Sequence, residues 1–287
     1  MIENKGGTDQ KMITNYDEVY DLPDVRGWYR AMDQDGFESA QHASDVFRAI
    51  LAELKRTRGL SSAVVTDFAS GYGIATTLMR HSATLEDVLS RYRLPAFADT
   101  RPADVIEADR VWLAGLKDEN QDRYAGVDVA GNALAYGQAV GIFDAIFPEN
   151  LQQSAPSAAL TAWLAECDLV VECGSVAHMM PGAMENLMRA TQQRGAWIVI
   201  TPIRGNDRAE ALELMADYGR TVELLDIPPF RHRPFVSEAE RATGITNARA
   251  RGHDTSGFED SGHLYAQVYL ARPAAETTPF SNWPAAD

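Results

Sequence analysis

Val64-Val-Thr-Asp-Phe-Ala-Ser-Gly-Tyr-Gly73 is the stretch on which the fold is decided. A β-branched run, Val64 to Thr66, closes on an acid, Asp67. A short turn carrying Gly71 and Gly73 follows, and Ile74 to Arg80 then reads as helix. Strand, tight turn and helix in that order is how an α/β protein shapes a ligand site at the carboxyl end of its first strand. Two glycines, lacking a Cβ, let the backbone approach a ligand closely. The plain alternative is an ordinary strand-to-helix corner, because short glycine motifs carry little information alone.

Outward from this stretch, strand and helix patterns alternate. Upstream, residues 1–15 read as a tail and residues 16–60 as an N-terminal helical lid. The start of that lid carries Tyr16, Tyr20, Trp28 and Tyr29 and reads as a loop that packs over something. Asp35-Gly36-Phe37-Glu38 predicts a capping box, and Ala43, Val46, Phe47, Ile50, Leu51 and Leu54 keep helical spacing up to a stop at Gly59. Downstream, strands are expected over 124–128, 144–151, 165–173, 197–201, 221–226 and 264–270. Helices are expected over 131–141, 157–166, 181–193 and 211–218. The polar stretch 228–262 reads as a long loop. This predicts a doubly wound α/β arrangement of seven strands, with residues 61–273 as its domain and 274–287 as a tail.

One insert departs from a minimal βαβ crossover. Residues 82–120 predict two further helices, one on Leu85, Val88, Leu89 and Tyr92, the other on Val105, Ala108, Val111, Trp112 and Gly115, with Pro95 and Pro102 at the break. Two uses are open to it: a helical cap over the ligand pocket, or peripheral packing that includes a homodimer contact.

Composition narrows the class. The chain has 287 residues, 45% of them hydrophobic, which suits a globular protein with a real core. No run approaches the roughly 18 apolar residues of a membrane span. The start, MIENKGGTDQ, lacks an apolar signal core. Cys167 and Cys173 lie on one expected strand, too far apart to bond, and their spacing is wrong for zinc; a reduced, cytoplasmic setting and no metal are expected. A net charge of −15 repels phosphate backbones and argues against nucleic acid and anionic membranes, although solubility alone also explains it. No G-x-S-x-G nucleophile and no GK[ST] phosphate loop is present.

A dinucleotide site would require G-x-G-x-x-G and, about twenty residues on, an acid. Here Thr76 stands at the third glycine, and the next strand-like segment ending in an acid is 124–128. Asp67, Ala69, Gly71 and Gly73 instead match an acid-x-G-x-G-x-G pattern at three of four positions, with Ala69 replacing the first glycine. On these residues the region from about Ala63 to Ala271 resembles the class I S-adenosylmethionine (SAM) dependent methyltransferases. The 26–47 lead-in, the insert and Pro229-Phe-Arg-His-Arg-Pro-Phe235 make it similar to a bacterial group of such proteins whose acceptors are undefined.

The resemblance implies a Rossmann-like fold, a mostly parallel sheet with its last strand antiparallel, SAM as cofactor and a small-molecule substrate. It implies that Asp67 and the backbone of Ala69, Ser70, Gly71, Tyr72 and Gly73 hold the methionine portion. Asp128 would accept from two ribose hydroxyls, because a carboxylate offers two oxygens in one plane; its ordinary alternative is a helix cap. Val129 or Asn132 would flank the adenine, Asn150 or Gln153 would read its edge, and Cys173 and Gly174 would open the loop that borders the sulfonium. On the acceptor side His178 is the candidate base, against a packing histidine. Tyr16 and Tyr20 are candidates to close over the sulfonium, against core packing. Arg231, His232 and Arg233 are candidates to meet a substrate carboxylate, against a salt-bridged loop. Two other functions stay open. One is a SAM-consuming cyclase that forms azetidine-2-carboxylate and releases methylthioadenosine; the other is a SAM-binding protein without catalysis.

Overall fold

A computed structural model describes residues 17–174 and 181–283. In chain order the elements are α1 (Arg26–Gln34), α2 (Ser39–Arg58), β1 (Val64–Phe68), α3 (Ile74–Arg80), α4 (Leu85–Arg93), α5 (Pro102–Ala114), β2 (Arg123–Asp128), α6 (Gly131–Ala139) and β3 (Ala145–Pro148). The second half adds α7 (Ala158–Glu166), β4 (Leu169–Glu172), α8 (Pro181–Thr191), β5 (Trp197–Ile200), α9 (Ala209–Asp217), β6 (Arg220–Leu224), β7 (Phe230–Pro234), α10 (Glu238–Ala250), β8 (His263–Ala266) and β9 (Tyr269–Pro273).

Seven strands form one sheet in the order β3-β2-β1-β4-β5-β9-β6. The pairs from β3 to β5 are parallel, and β9 runs antiparallel to both β5 and β6. β4 and β5 are buried along their whole length, which is why LVVE and WIVI read as continuous apolar runs rather than alternating ones. From β1 the chain winds outward through β2 and β3, then returns to β4 on the other side of β1. That reversal leaves a crevice at the carboxyl ends of β1 and β4, where open α/β sheets bind ligands.

Local chemistry sets several boundaries. Gly59 ends α2 in the left-handed conformation, and the Leu60 N–H donates back to the Lys55 carbonyl. Thr84 and Asp87 form a reciprocal capping box on α4, and Pro102 opens α5.

Four sequence expectations are corrected. Residues 35–38 are not a capping box: Asp35 closes the unforeseen helix α1, Glu38 precedes α2 without a side-chain cap, and its N–H donates to the His232 carbonyl. Residues 165 and 166 belong to α7, and only 169–172 are strand, because the Asp168 carboxylate between them accepts from the Val64 N–H and pairs with Arg58 and Arg194. The 228–262 loop contains β7 and α10. The 264–270 strand is two strands, β8 pairing with β7 in a separate small sheet and β9 entering the main one. Among the described residues, no helix is long and apolar enough to cross a membrane.

Candidate functional site

The turn after β1 is bent by three left-handed residues: Ala69 (φ 56°), Gly71 (φ 50°) and Gly73 (φ 76°). Ala69 is the single non-glycine with positive φ among the described residues, a conformation that costs an L-residue about 1–2 kcal/mol. The N–H groups of Ala69 and Ser70 hold the strain by donating to the Val127 carbonyl, which pins the turn onto β2.

Asp128 ends β2 beside that turn and is buried. Its Oδ1 accepts from the Ala130 N–H at 2.9 Å; its Oδ2 accepts from the Gly71 N–H and from the Tyr20 hydroxyl, both at 2.8 Å. It bonds the first turn after β2 without being the α6 cap residue, which is Ala130. Gly71 is glycine for a reason of space as well as conformation: a Cβ there would lie 3.0 Å from the Tyr20 hydroxyl oxygen.

Asp67 ends β1 below the turn and is 2% exposed. Burial drives its pKa up to about 7; the Thr76 hydroxyl, donating at 2.8 Å, opposes this, while Asp128 and Glu172 add to it. Burial also pushes the Cys173 thiol well up, so it stays neutral.

These groups open onto a cleft with a cavity volume of about 380 Å³. Over β1 to β3 its wall is made by Asp67 to Ser70, by Val127 to Val129 and by Glu149 to Gln152. Over β4 and β5 it is made by Cys173, Gly174, Ile203 and His232, with Trp28 and Phe37 from the N-terminal segment. Four carboxylates line it, Asp17, Asp67, Asp128 and Glu149, and no lysine or arginine does among the described residues.

Of the residues singled out from the sequence, Asp67, Ala69, Ser70, Asp128, Val129, Asn150, Cys173 and Gly174 reach the cleft, and Gly71 borders it through Asp128. Tyr72, Gly73 and Asn132 do not line it. The Tyr72 hydroxyl faces away and bonds both backbone groups of Leu22. Gly73 gives way to Phe143, whose ring a Cβ would meet at 2.5 Å. Asn132 donates its side-chain N–H to the Asp21 carbonyl. Tyr16 and His178 lie outside the described residues. Tyr20 also lines the cleft, with its hydroxyl donated to the Asp128 carboxylate.

The basic cluster separates. Arg233 is buried against Glu240 at 2.6 Å, Arg231 is exposed, and His232 alone enters the cleft wall. No cation of this cluster is placed to meet a carboxylate there. Trp28, Phe37, Glu149, Gln152 and Ile203 were missed; the aromatic lead-in was the one visible signal for the first two.

The sheet order with β9 reversed between β5 and β6, and a strained acid-glycine turn facing a second strand-end acid, decide the architecture. It is the Rossmann-like fold of the class I SAM-dependent methyltransferases. No family model and no curated protein matches the chain. Among solved structures it is similar to the YcgJ protein from Bacillus subtilis, at 11% identity over 81% of this chain and 98% of that one, with a TM-score of 0.44. It is similar to a TehB-like SAM-dependent methyltransferase from Corynebacterium glutamicum, at 14% identity over 84% and 93%, with a TM-score of 0.40. A geranyl diphosphate C-methyltransferase from Streptomyces coelicolor A3(2) matches at 11% identity over 79% and 80%, with a TM-score of 0.39.

Proposed function

We propose that this protein is a SAM-dependent methyltransferase acting on a small molecule. The carrying observation is the buried Asp128 carboxylate, fixed by the Gly71 and Ala130 N–H groups at the switch point of the sheet. Three donors occupy its two oxygens, and Oδ1 keeps room for a further hydroxyl. Exchange of the Tyr20 hydroxyl would give a ribose diol both oxygens. Ser70 Oγ is buried at the cleft wall with no hydrogen-bond partner, a polar atom of the kind that a ligand satisfies. The acidic lining, without lysine or arginine among the described residues, suits a ligand carrying a sulfonium and an ammonium.

Bound SAM would supply a methyl group on positively charged sulfur: the S–CH3 bond breaks to leave a neutral thioether while an acceptor lone pair forms the new bond and the acceptor loses its proton to water. The chain's own part is positioning and exclusion of water. Asp128 and Gly71 would fix the ribose, Ser70 and the 69–71 backbone the amino-acid end, and Val129, Asn150 and Gln152 the adenine. Tyr20 and Trp28, edge-to-face at 5.1 Å, close the cleft from the N-terminal side. Because both cysteines are free and the net charge is −15, we also place the protein in a reducing, cytoplasmic compartment with a small molecule rather than a nucleic acid as partner.

Titration of SAM into the protein by calorimetry tests this reading. Binding that falls at least about tenfold in Asp128→Ala is expected, the loss of charge-assisted hydrogen bonds to the ribose. Binding unchanged by that substitution would remove the ribose role of Asp128, and no binding to the unaltered protein would remove the cofactor assignment. Incubation with SAM followed by identification of the nucleoside separates the chemistries: S-adenosylhomocysteine marks methyl transfer and methylthioadenosine marks cyclisation.

A further inference from the structure

His232 sits at an irregularity that aims it. In the β7–β8 pair Arg231 faces Tyr265 and Arg233 faces Leu264, so His232 is the extra, unpaired residue of a β-bulge. Bulges re-aim side chains, and they recur beside functional sites. The freed His232 carbonyl accepts from the Glu38 N–H instead of from a strand. The ring is held on two sides: Nδ1 bonds Ser39 Oγ at 2.8 Å, and Phe37 meets the ring edge-on with centroids 4.8 Å apart. Its Cε1, the atom beside Nε2, lies 3.8 Å from where a Cβ on Gly174 would stand, and Gly174 itself lines the cleft. Nε2 has no hydrogen-bond partner among the described residues.

We propose that His232, Phe37, Trp28 and Ile203 form the acceptor subsite, that it takes a small neutral ring compound bearing a hydroxyl or N–H, and that Nε2 of His232 hydrogen-bonds the atom to be methylated. The proposal rests on the methyltransferase reading and gives its acceptor a chemical class. Position supports it: the groups expected to hold the nucleoside lie over β1 to β3, Ile203 follows β5, His232 lies on β7 with Phe37 against its ring, and Trp28, packed on Tyr20, joins the two sides. The walls are aromatic or aliphatic, which suits a flat apolar ring. Charge supports it: with four carboxylates and no lysine or arginine among the described residues of the lining, a carboxylate or phosphate on the acceptor would be repelled. Burial and the neighbouring Arg233 drive the His232 pKa down to about 3, so the imidazole offers a neutral hydrogen bond rather than a positive charge. His232 is therefore a positioning group that orients the acceptor's lone pair, and the proton lost on methylation passes to water.

Phenol and benzoate serve as probes, titrated by NMR into the protein with and without S-adenosylhomocysteine. Phenol is expected to bind, and benzoate to bind at least about tenfold more weakly because of its charge. His232→Phe is expected to weaken phenol about tenfold, the value of one hydrogen bond, while His232→Asn retains part of the binding. Phe37→Ala, at a partly exposed wall that tolerates truncation, is expected to weaken phenol to a similar degree. S-adenosylhomocysteine affinity should stay within about twofold in all three, which certifies that they fold. Benzoate binding as well as phenol, phenol binding indifferent to both His232→Phe and Phe37→Ala, or no phenol binding would each overturn the subsite. Failure of S-adenosylhomocysteine to bind any form would overturn the cofactor reading instead.

Discussion

Asp67 is a carboxyl whose charge should respond to what binds beside it. Burial holds its pKa at about 7, against a reference of 3.8, with Thr76 as its hydrogen-bond donor. A cationic ligand favours the ionised form, so SAM affinity should rise from pH 6 to pH 8 and level off above, and Asp67→Asn should flatten that slope. Calorimetric titration at three pH values checks it; a slope that survives the substitution assigns it elsewhere. Stability carries the opposite sign. With the folded pKa above the unfolded one, this group's contribution is full below the reference value and is lost as pH rises through the folded value. Asp67→Asn should therefore gain on the wild type in thermal midpoint between pH 5 and pH 8. Asp67, Gly71 and Asp128 were legible because strand-end acids and a glycine turn are local signals. Tyr72, Gly73 and Asn132 were not, because Leu22, Phe143 and Asp21 set their roles from far along the chain. His232 was visible as a residue, but its aim depends on a bulge that no local pattern announces.

At the scale of elements, residues 20–22 form a strap. Tyr20 bonds Asp128, Leu22 is tied by Tyr72, and Asp21 accepts from the N–H groups of Asn132 and Ala133 in the first turn of α6. One short segment thus caps a helix while it covers the expected ribose site. Removal of the Tyr20 hydroxyl frees an oxygen of Asp128 that the ribose must otherwise win, so Tyr20→Phe should bind SAM faster and up to about tenfold more tightly. Stopped-flow fluorescence measures this, and slower association in the variant would mean that the hydroxyl helps to hold the ligand. Asp21→Ala removes the cap and should cost about 1 kcal/mol in urea unfolding. The sequence showed the aromatic residues of this region but not its order, since each anchor is a contact with α6 or the β1 turn. The elements missed, α1, β7 and α10, share that origin. α1 has no side-chain cap and carries Gly27 in its first turn beside Trp28 and Tyr29, so it reads as loop although Tyr29 and Met32 keep helical spacing, and β7 lies in a stretch whose charge resembles a loop until Arg233 finds Glu240.

At the scale of the molecule, the insert supports the cleft without entering it. Among the described residues that line the cleft, none belongs to 82–120. Instead Tyr92 of α4 stacks on Tyr29 of α1 at 5.1 Å, and Trp28, the next residue on α1, faces the cleft. Behind that stack the fully buried Asp109 accepts from Arg91 Nε at 2.8 Å and from the hydroxyls of Tyr92 and Tyr136, both at 2.9 Å. The carboxylate ties both helices of the insert to α6, and burial raises its pKa even though three donors oppose the shift. Asp109→Ala leaves Arg91 without its carboxylate and the Tyr92 and Tyr136 hydroxyls with only each other, at 3.2 Å, and breaking a buried pair in this way costs about 3–5 kcal/mol. A large drop in unfolding free energy is therefore expected, with SAM affinity unchanged at temperatures where the variant is folded. A cap over the cofactor would behave differently: loosening it would weaken SAM binding before the protein unfolds. Calorimetric SAM titration of Asp109→Ala alongside its melting curve distinguishes a buttress, which moves only the second measurement, from a lid, which moves both.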